Sequence, residues 1–251
     1  MSESMIPNRI SMVSYNLWNV ERWPDRKPAL SKFLTTFNPD ILCLQEISNE
    51  TMQCIGESLE SHEHVNDELP GWACESNIFW NTHYFEEVAH GLEDLEIPEQ
   101  HRGLFWVRLK FKGSDTTIFI ATAHFTWQGN PEEFETGLTP RNRQTHQTIN
   151  FLKQLVNKGE LGFFMGDLND PIIPNLFFPK AGYQSCFKDL NLLCPPTYPA
   201  LPTTNVISEN QAIDWIFSNG KAKTISASVP QFYFNGIGPS DHWPVHAIYQ
   251  L

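Results

Sequence analysis

Basic residues are scarce in this chain: 17 lysines and arginines stand against 29 aspartates and glutamates in 251 residues, a formal net charge of −12. A surface built to coat nucleic acid is normally basic, so that generic role is disfavoured. A nuclease is not excluded, because bound divalent cations reverse the local sign where a phosphate docks. Cysteine is sparse too. Cys43, Cys54, Cys74, Cys186 and Cys194 show no CxxC pair and no zinc spacing, and an odd number leaves at least one thiol unpaired. Reduced thiols in a cytoplasmic protein are the expectation. No run approaches the ~18 apolar residues of a membrane span, and MSESMIPNR lacks a basic segment followed by an apolar one. Neither secretion nor stable membrane association is expected. No linker-like stretch or internal repeat divides the sequence, so one domain spanning 1–251, monomeric, is the expectation.

What is present is a series of strand-like apolar runs that end in polar side chains. They are Asn16 in SYNLWN, Glu46 in LQE, His124 in TAHF, Asp167 and Asn169 in GDLND, Asp214 in IDWIF, and Asp241 with His242 in SDHWPV. Each would emerge where a buried strand meets its loop, the rim at which open α/β sheets bind ligands. Residues 10–18 read as a strand, Lys27 to Phe37 as a helix closed by Asn38-Pro39, and ILCLQE as a second strand, a strand–helix–strand unit of an α/β fold. Residues 47–60 read as a helix, and NIFWN and HYFEEV as strands. RGLFWVRLKF and TTIFIATAHF form a hairpin around Lys112-Gly113-Ser114. The polar segment from Trp127 to Arg143 reads as a loop, the stretch from about Pro140 as a helix stopped near Gly159, and LGFFMGD, AIDWIFSN and PVHAIYQL as strands. Pro171 to Val206 gives only loops and short helices.

A converging set of Asp, Glu, Asn and His without cysteine is the donor chemistry of a hard cation acting on phosphate. Taken singly, each residue has an ordinary reading: a strand-end Glu46 as a cap or salt bridge, GDLND as an Asx turn, Glu75 as a solvated loop acid. Taken in order, SYN, LQE, TAH, GDLN and SDHW resemble the endonuclease/exonuclease/phosphatase superfamily from Ser14 to about Val245. The resemblance implies a DNase-like α/β fold, a four-layer α/β/β/α sandwich of two packed mixed sheets covered by helices.

It also implies roles. Glu46 and Asp241, with Asn16 supplying an oxygen directly or through water, would hold one or two Mg²⁺ or Mn²⁺ ions. His124, Asp167, Asn169 and His242 would surround the phosphate, with Asp214 orienting His242 and Glu75 a plausible partner of His124. Whether Asp167 or His242 is the base differs among family members. Arg141 and Gln144 resemble the family's R-x-x-Q element, and Arg141, Trp18 and Trp127 are candidates for contact with substrate. A patch of Arg141, Arg143 and Lys153 would serve an anionic ligand. The implied partner is a phosphate ester. A phosphodiester in nucleic acid or a nucleotide conjugate comes first; the alternative is a sugar or inositol phosphomonoester or a phospholipid headgroup. A non-catalytic binding module on the same fold would lack some of these groups, and none is missing.

Overall fold

The computed structural model describes residues 7–206 and 208–251; residues 1–6, where the sequence shows no leader-like pattern, and Ile207 lie outside it. Strand alternation decides the architecture. In β1 (Arg9–Asn16) the side chains of Ile10, Met12, Ser14 and Asn16 share one face while Val13 and Tyr15 share the other, and nearly all are buried. A strand buried on both faces needs cover on both, and that requirement gives two sheets back to back with helices outside.

One sheet contains β2 (Ile41–Gln45), β3 (His62–His64), β4 (Ser76–Asn81), β11 (Lys223–Ser228) and β12 (Val245–Gln250) beside β1, in the order β11-β12-β1-β2-β4-β3. The other contains β5 (Phe85–Glu93), β6 (Leu104–Phe111), β7 (Thr117–His124), β8 (Leu161–Asp167), β9 (Gln184–Ser185) and β10 (Asp214–Ser218), in the order β5-β6-β7-β8-β10-β9. The four central strands of each repeat one scheme. β1 and β2 are parallel with antiparallel β12 and β4 outside them, and β7 and β8 are parallel with antiparallel β6 and β10 outside them.

The facing surfaces bury Ile10, Met12, Ile41, Cys43 and Ile78 against Phe105, Val107, Ile118, Ile120, Phe163 and Met165. At roughly 1.5–3 kcal/mol for each large side chain fully withdrawn from water, this layer dominates the favourable side of folding. On the outer faces, α1 (Lys27–Phe37) and α2 (Asn49–Ser58) cover Val13, Tyr15, Leu42 and Leu44 with Leu30, Phe33, Leu34 and Ile55. The helix α5 (Pro140–Leu155) covers Phe119, Ala121 and Phe164 with Ile149 and Leu152.

Along each inner row the chemistry changes in one direction. Ile10-Met12 gives way to Ser14 and Asn16, Ile118-Ile120 to Thr122 and His124, and Phe163-Met165 to Asp167. Gln45 Nε2 donates to Thr122 Oγ1 across the sandwich at 2.9 Å, a polar tie between the two sheets at this end of the interlayer. That end is where the cleft opens.

The sequence reading differs at the small elements. α5 stops at Leu155, four residues before Gly159, and the segment after His124 contains a one-turn helix, α4 (Pro131–Thr136), capped by Asn130. The short β3, β9 and α3 (Gly71–Cys74), and the polar β11, were not read. All five cysteines are free, and among the described residues no helix is long and apolar enough to cross a membrane.

Candidate active site

Asn16, His124 and Asp167 close three inner rows, and Glu46 follows the last residue of β2 with a left-handed φ of 50°. That conformation is unfavourable for a glutamate and recurs where surrounding structure imposes it, at sites. Asp214 opens β10, and Asp241 and His242 lie just before β12. Together they line a cleft of about 630 Å³ with Trp18, Trp127, Asn169, Tyr198 and Arg102, all but Asn16 and Asp214 facing its space.

Asp167 is the hub. Its Oδ2 accepts from Asn16 Nδ2 at 3.0 Å and faces His124 Nε2 at 3.4 Å and His242 Nε2 at 3.7 Å, while Oδ1 accepts from the Asn169 backbone N–H at 3.0 Å. The GDLND segment therefore is an Asx turn and a site wall at once. Asn169 turns left-handed at φ 49° and donates its Nδ2 to Phe125 O, so the chain does not stay extended there.

Each histidine is oriented from the opposite sheet. His124 at the end of β7 bonds through Nδ1 to Glu75 Oε1, which precedes β4, at 2.9 Å; His242 before β12 bonds through Nδ1 to Asp214 Oδ2 in β10 at 2.9 Å. Both Nε2 atoms are thereby aimed at Asp167 and the cleft. Burial would depress the His242 imidazole, but the charges of Asp214 and Asp167 and the Asp214 hydrogen bond hold it well above the usual histidine value. His124 is likewise raised: burial and Arg102 oppose protonation, and Asp167 and Glu75 outweigh them. Burial would raise Asp167, yet His242, His124 and Asn16 hold it below the usual carboxylate range. Two imidazoles pushed toward their protonated forms beside a carboxylate pushed toward its ionised form make a place that suits a phosphate and a water.

The carboxylates of Glu46 and Asp241 form the other electrostatic feature. Burial, and then the charge of Glu46, push Asp241 up to about 6 despite His242 and Arg26. Oxygen donors whose charges repel inside a half-buried cleft fit a hard divalent cation. Asp167, Asp214 and His242 also bring ligand atoms within 4.8 Å of one another. There His242 Nδ1 and Asp214 Oδ2 are engaged with each other at 2.9 Å, while Asp214 Oδ1 has no hydrogen-bond partner.

Two expectations change. Asn16 turns its amide nitrogen, not its oxygen, to Glu46 Oε1 (3.1 Å) and Asp167, because its Oδ1 accepts from the Trp18 backbone N–H at 2.9 Å. In this arrangement the amide nitrogen, and not the oxygen, faces the two carboxylates. Arg141 does not reach the cleft. It is buried, holds Glu133 at 2.5 Å and Asp170 at 3.3 Å, and donates to the carbonyls of Thr126 and Trp127, so it fastens the loop that carries Trp127. Arg143 pairs with Glu96 and Glu132, and Lys153 is exposed on α5, so the basic patch does not form at the site. Arg102 and Tyr198 are among the cleft residues that were not singled out in the sequence. Arg102 approaches Glu75 at 3.4 Å, and Tyr198 tilts over the His242 ring at 4.8 Å. Arg102 opens the run RGLFWVRLKF but lies two residues before β6 begins, and Tyr198 comes from the proline-rich segment read as loops and short helices.

Residues 13–242 match the model of the endonuclease/exonuclease/phosphatase family. The chain belongs to this family. Its members are phosphoester hydrolases, typically dependent on a divalent metal. No curated protein matches the chain by sequence. Among solved structures, D. rerio TDP2 complexed with single-strand DNA product is 17% identical, with 98% of this chain and 100% of that chain covered at a TM-score of 0.81. The Bacteroides thetaiotaomicron mannosyl-6-phosphatase Bt3783 is 19% identical, with 95% and 98% covered and a TM-score of 0.78. Truncated Caenorhabditis elegans TDP2 is 18% identical, with 97% and 98% covered and a TM-score of 0.77. At such identities the likeness is one of fold.

Proposed function

We propose that this endonuclease/exonuclease/phosphatase family chain is a divalent-metal-dependent hydrolase of a phosphodiester, in a nucleic-acid end or a nucleotide conjugate. The observation that carries the reading is the convergence of Asn16, His124 and His242 on one oxygen of Asp167 within a cleft that also holds Glu46 and Asp241. Trp18 and Trp127 line the same cleft, Trp127 half exposed, and offer flat faces on which bases stack.

Asp167 accepts the proton of the attacking water, and of the two base candidates it is favoured because its surroundings push it toward the ionised form and push His242 toward the protonated one. His124 and His242, through their cleft-facing Nε2 atoms, bind the non-bridging oxygens, which gain charge as the water oxygen bonds to phosphorus and the ester P–O bond breaks. Asn169, beside Asp167, narrows the approach of the water. Glu46 and Asp241 would hold one Mg²⁺ or Mn²⁺, and a bound ion supplies positive charge to the phosphoryl and leaving oxygens. Asn16 bridges the Glu46 and Asp167 carboxylates by donating to both.

Hydrolysis of bis-p-nitrophenyl phosphate with Mg²⁺ or Mn²⁺ tests the reaction. Glu46→Ala and His242→Ala are each expected to lose about 10²–10³ in kcat. A metal-stimulated wild type with unimpaired variants, or no turnover on a broad panel of mono- and diesters, would sink the proposal.

A second reading is a sugar phosphomonoester. Arg102 is the cleft's one Lys or Arg among the described residues, whereas Gln128, Gln211, Tyr198 and Glu209 offer hydrogen bonds suited to hydroxyl groups. Relative kcat/KM on DNA, RNA, tyrosyl-DNA, inositol phosphates and hexose phosphates separates the two.

A further inference from the structure

Arg26 is fully buried, and among the described residues no carboxylate pairs with it. An unpaired buried guanidinium is costly unless every N–H is satisfied. Here all five are. Nε donates to Glu21 O at 2.6 Å, Nη1 to Leu17 O at 2.9 Å and to Pro239 O, and Nη2 to Trp18 O at 3.2 Å and Asn19 O at 3.1 Å. The rings of Trp18 and Trp23 flank it, 5.2 and 5.6 Å from the guanidinium carbon.

Four of those five acceptors belong to residues 17–21, a segment in which Trp18 and Asn19 turn left-handed, at φ 55° and 43°. Such a backbone persists only where its surroundings over-determine it. The fifth acceptor, Pro239, lies two residues before Asp241. Arg22 donates to Thr203 O, and Thr203 Oγ1 accepts from Gly238 N at 2.8 Å, a second tie between the same two segments.

We propose that Arg26 is a positioning residue that fastens the Trp18 wall of the cleft to the Asp241–His242 turn, so that substrate contact and phosphate chemistry stay in register. The consequence for catalysis rests on the hydrolase reading; the fastening itself does not.

The test uses Arg26→Lys, Arg26→Met, Trp18→Ala and the Arg26→Met/Trp18→Ala double variant on bis-p-nitrophenyl phosphate. Arg26→Met is expected to raise KM and to lower kcat about tenfold or more, with Arg26→Lys, which has fewer donors, recovering part of both. In the Trp18→Ala background the KM effect of Arg26→Met disappears while its kcat effect remains, because only the first is exerted through Trp18. Independent and additive KM effects, or an unchanged kcat, overturn the proposal. Should Arg26→Met fail to fold, Arg26→Lys with Arg26→Lys/Trp18→Ala carries the same comparison. Amide hydrogen exchange supplies an arm that needs no activity: in Arg26→Lys, residues 17–23 and 238–243 are expected to lose protection together while β7 and β8 keep theirs. Loss in only one segment, or throughout the sandwich, overturns the fastening. A wild type that hydrolyses nothing removes the hydrolase reading alone, and the exchange result still decides the role of Arg26.

Discussion

Glu75 decides which nitrogen of His124 faces the cleft. By accepting from Nδ1 at 2.9 Å it leaves Nε2 for Asp167, and the buried pair shifts both partners, His124 upward and Glu75 downward. The two shifts bound a pH window. A histidine raised in the folded state contributes stability that is complete below its unfolded value, about 6.5, and is lost as pH climbs through the folded value. A depressed glutamate contributes above its unfolded value, about 4.3, and loses that contribution as pH falls through the folded one. In urea unfolding with EDTA, Glu75→Gln is therefore expected to cost roughly 2 kcal/mol near pH 6 and clearly less at pH 9. An equal cost at both pH values would remove the charge argument. Glu46, Asp167 and His242 were legible because each follows or precedes an apolar run. The orientation of the Asn16 amide was not, since a backbone N–H two residues later sets it. Nor was the withdrawal of Arg141, which depends on Glu133 and Asp170 meeting it in space.

Among the elements, the contact between β7 and β8 sets the spacing of the site, because Ala123 pairs with Gly166 immediately before His124 pairs with Asp167. Gly166 has a φ of 154°, and a Cβ built there would lie 2.0 Å from Ala123 O, which is backbone and cannot rotate away. Gly166→Ala must therefore part the two strands where His124 and Asp167 are set side by side. Overpacking of this kind costs typically 1–3 kcal/mol. We expect that loss in urea unfolding, together with a fall in kcat of more than tenfold; a variant with wild-type kcat would show that the strand ends do not govern the site. The long strands could be read from sequence because their two-residue alternation survives in SYN, TAH and MGD. β9, with two residues, and β3, with three, are too short to show a period, and Lys223–Ser228 joins β12 through backbone pairing with little apolar pattern of its own. Tyr198 entered the cleft from the proline-rich segment because its backbone bridges Gln211, a contact no local pattern encodes.

At the scale of the whole molecule, the two sheets exchange partners: the first sheet's Glu75 orients the second sheet's His124, and the second sheet's Asp214 orients the His242 that precedes the first sheet's β12. Neither sheet alone carries a finished histidine pair. If the sheets form before the layers dock, both imidazoles lack their orienting carboxylates until docking. Recovery of metal-dependent hydrolysis after dilution from urea is therefore expected to lag the recovery of far-UV circular dichroism and to coincide with burial of the interlayer tryptophans Trp72 and Trp80, followed by fluorescence. Hydrolysis that returned in step with circular dichroism, ahead of tryptophan burial, would contradict this order. The crossed pairing ties the completion of both histidines to a single event, the docking of the layers, so a chain whose sheets stood apart would hold neither imidazole in place.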